Sequence, residues 1–256
     1  MRRWIIVLCC SLGFLEAQAA PITFTGAELL SLPGASTPAA NAFVSGTGAR
    51  FNPDRDFAIV YQLPLANIAI DPLNFSVVVD YVFLNNDFGS FDQDFHIGLS
   101  DGVAFYNTNI FDSNGANVRP NIRREGLTSN GLQISLGITL DSGALFPAPL
   151  NTTAQYGFSI QTLATGTQID GFIGTNTVST FQPLNILNPA NGFNLVFAGN
   201  NFQENYLIRS LTFTDLSTSV PEPGPLGGLA LSLFALAIGL DRTWLQRRKK
   251  EKHGPS

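Results

Sequence analysis

Asn85, Asn86, Asp87, Asp92, Asp94 and Asp101 fall within seventeen residues and present the hard oxygen ligands that Ca²⁺ prefers. Loops at the end of a sheet can gather such groups, so a calcium site on Asp87, Asp92, Asp94 and Asp101 is one expectation. The spacing is not that of an EF-hand, and the turn-forming character of Asn and Asp accounts for the same run without metal. No other cofactor is implied. Catalytic groups are sparse. Between the two ends of the chain there is one histidine, His96, so a Ser-His-Asp triad or a multi-histidine metal site would have to be built on it. A lone histidine inside an apolar stretch reads as structural. Glycoside hydrolysis needs two carboxyl groups facing each other across the scissile bond, and Glu28, Glu125 and Glu204 are scattered. No catalytic residue is therefore assigned, and an aspartate pair is the only enzymatic alternative. Asp54 and Asp56 beside Arg50 and Arg55 read as a solvated, ion-paired loop.

The elements that must position these groups are strands. Leu132, Ile134, Leu136, Ile138 and Leu140 alternate with smaller or polar residues, which predicts one strand with a buried and a wet face. Tyr156, Phe158 and Ile160 repeat the pattern, as do Phe193, Leu195 and Phe197. Residues 75–84 are apolar on both faces, as a central strand would be. Residues 57–63, 94–99, 103–106, 169–173 and 207–216 complete the set, separated by Asn/Gly/Asp-rich turns. With no convincing amphipathic helix, this predicts an all-β fold: a two-sheet antiparallel sandwich of the jelly-roll type. Most of the 21 phenylalanines belong in its core. Tyr61, Tyr106 and Tyr206 are the candidate sugar-stacking platforms.

The sandwich occupies residues 20–218. From Ala20 to Ser219 the chain has no Cys, Trp, Met or Lys, so its stability owes nothing to disulfides, and a chain of this length can bury enough surface without them. Three glutamates and twelve aspartates against six arginines give this stretch a net charge of 6 − 15 = −9. That balance argues against a nucleic-acid partner, because there is no basic face to displace counterions.

The two ends speak of export. Met1-Arg2-Arg3, an apolar core from Trp4 to Leu15 and the small-residue site Ala17-Gln18-Ala19 predict a signal peptide over residues 1–19, cleaved before Ala20. Val220-Pro221-Glu222-Pro223 lies in a Pro-rich stretch (219–225). It is followed by an apolar run that predicts a transmembrane helix over 226–245 and by a basic tail (246–256). Eight strongly apolar side chains in that run, at about −0.3 to −0.6 kcal/mol each near a bilayer centre, favour insertion by about 2.5 to 5 kcal/mol. Arg242, Arg247, Arg248, Lys249 and Lys250 hold the end in the cytoplasm by the positive-inside rule.

Pro221, Glu222 and Pro223, the hydrophobic segment and the Arg/Lys-rich end together resemble the PEP-CTERM sorting signal of Gram-negative bacteria. The resemblance covers about the last 36 residues. It implies recognition by exosortase, an integral-membrane cysteine transpeptidase. It also implies anchoring in the inner membrane before the tail is removed, then delivery to the cell surface or extracellular matrix, where such cargo is often linked to exopolysaccharide and biofilm. Asp241 departs from the purely apolar-then-basic pattern. Within the body, Asp94 to Gly102, Gly192 to Phe197 and Tyr206 to Phe213 resemble concanavalin-like lectin and glucanase sandwiches, although no Glu-x-Asp-x-x-Glu strand is present. The function expected is that of an exported structural or polysaccharide-associated protein, with a carbohydrate-active hydrolase or lectin as the alternative.

Overall fold

The computed structural model describes residues 20–83, 94–112, 117–128, 130–135, 137–147, 152–183, 187–199 and 206–217. The expected signal peptide with Ala17 and Ala19, the Pro221-Glu222-Pro223 motif, the apolar segment and the basic tail all lie outside the described residues. Asp87 and Asp92 do so as well. Among the described residues, no helix is long and apolar enough to cross a membrane.

In chain order the strands are β1 (Ile22–Thr25), β2 (Ala40–Ser45), β3 (Gly48–Pro53), β4 (Ala58–Pro64) and β5 (Asn74–Phe83). Then come β6 (Asp94–Ser100), β7 (Ala104–Asp112), β8 (Asn117–Gly126), β9 (Ile138–Ser142) and β10 (Phe146–Pro147). The last five are β11 (Ala154–Leu163), β12 (Gly166–Ile173), β13 (Asn176–Gln182), β14 (Asn194–Gly199) and β15 (Tyr206–Asp215). They form two sheets. One runs β13-β12-β11-β5-β15-β3-β2, with β1 also on β15; the other runs β10-β8-β7-β6-β14-β4, with β9 also on β8. The pairings between the described strands are antiparallel, so the expected all-β, two-sheet antiparallel sandwich is what the chain forms.

Period-two alternation aims one side of each strand into the space between the sheets. On β5, Phe75, Val77, Val79 and Tyr81 are fully buried there, while Ser76, Val78 and Asp80 point out of the sandwich and are only partly covered. The largest fully buried side chains are all Phe or Tyr, which answers the question of where the phenylalanines go. Phe51, Tyr61, Phe95, Tyr156 and Phe197 meet with ring centroids 5.2 to 6.5 Å apart, in edge-on and tilted contacts that suit their quadrupoles. Each such ring contributes about 1.5–3 kcal/mol by leaving water. Two of the buried hydroxyls donate to backbone: Tyr61 to the Leu29 carbonyl at 2.9 Å, and Tyr156 to the carbonyls of Thr108 and Phe95. Burial also raises the Tyr61 phenol above its ordinary value.

These positions correct the expected platforms. Tyr61 and Tyr106 are 0% and 2% exposed and cannot stack on a ligand. The side chain of Tyr206 lies outside the described residues. The strand expected across residues 132–140 is also corrected. Its second half is β9, on the edge beside β8, but its first half crosses the outer face of the seven-stranded sheet, where the Leu132 carbonyl accepts from Ile59 N–H and Ile134 N–H donates to the Phe57 carbonyl. Gly137 sits at the change of course. A Cβ there would lie 2.0 Å from the Arg124 carbonyl oxygen, so only glycine lets the two backbones approach. One short helix was not expected: α1 (Gly26–Leu29) starts in a capping box in which Thr25 and Glu28 satisfy each other's backbone donors.

Candidate functional site

The outer face of the seven-stranded sheet holds an unusual concentration of buried polar groups. His96 on β6, Asn107 and Asn109 on β7, and Asn121, Arg123 and Glu125 on β8 project on this side. Register places them together: His96 lies opposite Asn109, Asn109 opposite Asn121, and Asn107 opposite Arg123. His96, Asn107 and Asn109 are 0% exposed, Glu125 is 2% and Asn121 is 3%. The cover comes in part from the segment that leaves β8. Ser135 N–H donates to the Gly126 carbonyl, and the Arg123 guanidinium reaches the Gly137 carbonyl at 3.4 Å. Beside the polar cluster, Ile59, Phe105, Val196 and Ala198 form a small apolar core with Ile134 of that segment.

The hydrogen bonds fix the tautomer and the amide orientation. The Asn107 amide nitrogen donates to Glu125 Oε2 at 3.1 Å and to the Phe105 carbonyl at 3.3 Å, so Asn107 Oδ1 is left as an acceptor. It faces His96 Nδ1 at 3.1 Å, which must therefore carry the proton. Glu125 Oε2 is 3.4 Å from the same nitrogen, and Glu125 Oε1 is 3.1 Å from Arg123 Nε. Burial raises the Glu125 carboxyl to about 7, against the opposing pulls of the Arg123 charge and the Asn107 hydrogen bond. Two further polar groups have no hydrogen-bond partner among the described residues: both amide atoms of Asn109, and Asn121 Oδ1. Leaving such groups unpaired costs about 1–3 kcal/mol each.

Chemically, this is a carboxyl that titrates near neutrality beside an imidazole and a guanidinium. Those are the components of general acid-base chemistry. Glycoside hydrolysis would require a second carboxyl across the bond, and Glu125 is the only carboxylate in the cluster among the described residues. His96 takes the buried, hydrogen-bonded place expected of a structural histidine.

The calcium expectation meets a different arrangement where it can be followed. Asp101 is 3% exposed, and its carboxylate is engaged by backbone: Oδ1 accepts from Val103 and Ala104 N–H, and Oδ2 from Asn188 N–H. It closes the β6-β7 turn and ties it to a distant loop. The backbone of Asp94 begins β6, and its side chain lies outside the described residues. No group of three or more His, Cys, Asp or Glu able to hold a metal occurs among the described residues. Asp54 and Arg55 do form the expected exposed ion pair, at 2.7 Å.

Sequence reasoning passed over the β8 contribution to the cluster. The signal was present but inverted. Arg119, Asn121, Arg123 and Glu125 keep a strict period of two against Val118, Pro120 and Ile122, yet their charge and the proline hide the strand.

The fold and cluster define the class of an antiparallel two-sheet β-sandwich with a polar cluster beneath a crossing segment. No family model matches the chain, and no curated protein matches it. Among solved structures it is similar to a Bacillus subtilis protein of unknown function with a galectin-like fold, at 8% identity and a TM-score of 0.49, over 77% of this chain and 97% of that one. It is likewise similar to the alginate lyase vAL-1 from Chlorella virus, at 7% identity and a TM-score of 0.48, over 76% and 98% of the two chains. A third is the carbohydrate binding module CBM66 from Bacillus subtilis, at 11% identity and a TM-score of 0.44, over 72% and 98%. At these identities the likeness concerns the fold.

Proposed function

We propose that this chain is an exported bacterial surface or extracellular-matrix protein, sorted by an exosortase through Pro221-Glu222-Pro223. Its β-sandwich body has a structural or adhesive role in association with extracellular polysaccharide. The observation that carries this reading is the ordered C-terminal set: a proline-flanked Glu222, an apolar run from Leu226 to Leu240, and the basic residues Arg242, Arg247, Arg248, Lys249 and Lys250. The apolar run inserts in the inner membrane, the basic end stays in the cytoplasm, and the prolines keep the motif extended and accessible just outside. The body suits that destination, because its core is built from aromatic rings and needs no disulfide in any redox compartment.

Intact-mass measurement of the protein recovered from the envelope and medium of a producing cell tests the proposal. The expected product starts at Ala20 and ends near Pro221 to Pro223, with or without an added group. A product that still runs through Ser256 overturns exosortase processing and leaves a permanently anchored protein.

A further inference from the structure

The outer face of the eight-stranded sheet carries two aromatic rings laid over glycines of the neighbouring strand. Phe172 on β12 covers Gly157 on β11: a Cβ on that glycine would lie 2.0, 2.4 and 2.8 Å from three Phe172 ring carbons. Phe181 on β13 approaches Gly166 on β12 with the tip of its ring: a Cβ there would lie 2.7 Å from Phe181 Cζ, and 2.1 Å from the Gln182 carbonyl oxygen. Phe172 is partly exposed, and Phe181 is 43% exposed. With no side chain on Gly157, the Phe172 ring lies against the sheet, and both rings reach solvent.

Between the two rings runs a polar line. Phe172 lies opposite Thr177 and Phe181 opposite Gln168, so the rings are four residues apart along the strands, about 13 Å. Asp170 sits midway. Its carboxylate accepts from Gln168 at 2.9 Å, from Ser179 at 2.6 Å and from Ser159 at 3.2 Å. These bonds hold the donors and acceptors in fixed places, so that little side-chain freedom is lost when a ligand arrives. The carboxylate keeps acceptor capacity for further hydroxyls. Alternating flat apolar faces and hydroxyl-binding groups in a straight line match a chain of pyranose rings, each with one apolar face and a polar rim. The only ionisable side chain of this line is Asp170, so the line itself offers an acidic glycan no cation to pair with; Asp80, paired with Ser210 at 2.7 Å, and Arg50 lie further along the same face.

We infer that this line, from Phe172 through Asp170, Ser179 and Gln168 to Phe181, is a binding site for a neutral polysaccharide chain running parallel to β12 and β13. The inference rests on the polysaccharide association proposed above and specifies its site and the charge class of its ligand.

Affinity electrophoresis of the full-length protein in mild detergent tests it, in gels containing a mixed-linkage β-glucan, a galactomannan or dextran, with alginate as the anionic polymer. Retardation by at least one neutral polymer and not by alginate is expected. Binding should weaken roughly tenfold in Phe172→Ala and about threefold in Phe181→Ala. If Phe172→Ala loses its fold, Phe181→Ala decides, because its ring is at an exposed sheet edge. Neutral-polymer binding that survives both substitutions sinks this site while leaving polysaccharide association standing. Equal or stronger retardation by alginate overturns the ligand class and leaves the association intact. Retardation by none of the four polymers overturns the site and the association together, and the exosortase reading is then judged by the mass measurement alone.

Discussion

The outer faces of the two sheets are built from the same alternation and end in opposite states. On the eight-stranded sheet the outward residues of β5, β11, β12 and β13 stay in contact with solvent, and their polar groups bond to one another along the surface. On the seven-stranded sheet the corresponding residues of β6, β7 and β8 are covered, and their polar groups must find partners in a low-dielectric interior. Among the described residues, what separates the two cases is cover: residues around Leu127, Ile134 and Gly137 pack on the second sheet, and no described segment crosses the first. A polar side chain that costs nothing on one face therefore becomes a costly group on the other, to be satisfied or neutralised.

Substitutions on the two faces can break or sharpen that contrast. The largest effect is expected from Arg123→Ala. Removing the guanidinium 3.1 Å from Glu125 leaves a buried carboxylate without its cation, and the expected loss is about 3 kcal/mol at pH 8. Urea unfolding at pH 8 and pH 5 checks it. The loss should shrink at pH 5, where the carboxyl is protonated, and an equal loss at both would mean that Arg123 acts by packing alone.

Glu125→Gln is expected to have an effect that varies across the pH range and approaches a similar size only above neutrality. The native carboxyl titrates at about 7 against an ordinary value of 4.5, so between these values the folded chain holds more proton than the unfolded one. Native stability from this group is present at low pH and falls as pH rises through that window, by up to about 3 kcal/mol. The variant has no such slope. Melting curves from pH 4.5 to pH 8 should show it gaining on the parent as pH rises, and a constant gap would assign the native titration to another group.

The smallest effect is expected on the open face. Ser179→Ala removes an exposed hydroxyl that bonds to Asp170 and Gln168, and the change in unfolding free energy should stay within about 0.5 kcal/mol. A loss comparable to that of Arg123→Ala would erase the distinction between the faces.

How much of this could be read from the sequence follows the same division. β5, β11 and β14 announce themselves because their inward residues are large and apolar at every second position, and β12 and β15 show the pattern in part, through Ile169 and Ile173 and through Leu211 and Phe213. β8 and β13 do not. β8 directs its charges to a covered face, and β13 carries only Val178 as a buried apolar residue. His96 was legible as a structural histidine, but its meeting with Asn107 and Glu125 depends on the register among three strands, which no local pattern encodes. The rings over Gly157 and Gly166 were hidden for the same reason. A phenylalanine and a glycine fourteen or more residues apart carry no sign that they will be neighbours.

The pairing of β1 with β15 has a mechanical side. Ile22 lies opposite Phe213, so the chain enters and leaves the body at one end of the same sheet. β15 is flanked along its length by β5 on one side and by β3 and then β1 on the other. A pull applied through Ser217 would load β15 lengthwise and strain its rungs on both sides together, rather than peeling an outer strand one bond at a time. Held by its C-terminal end, the body would resist drag in shear, its strongest direction.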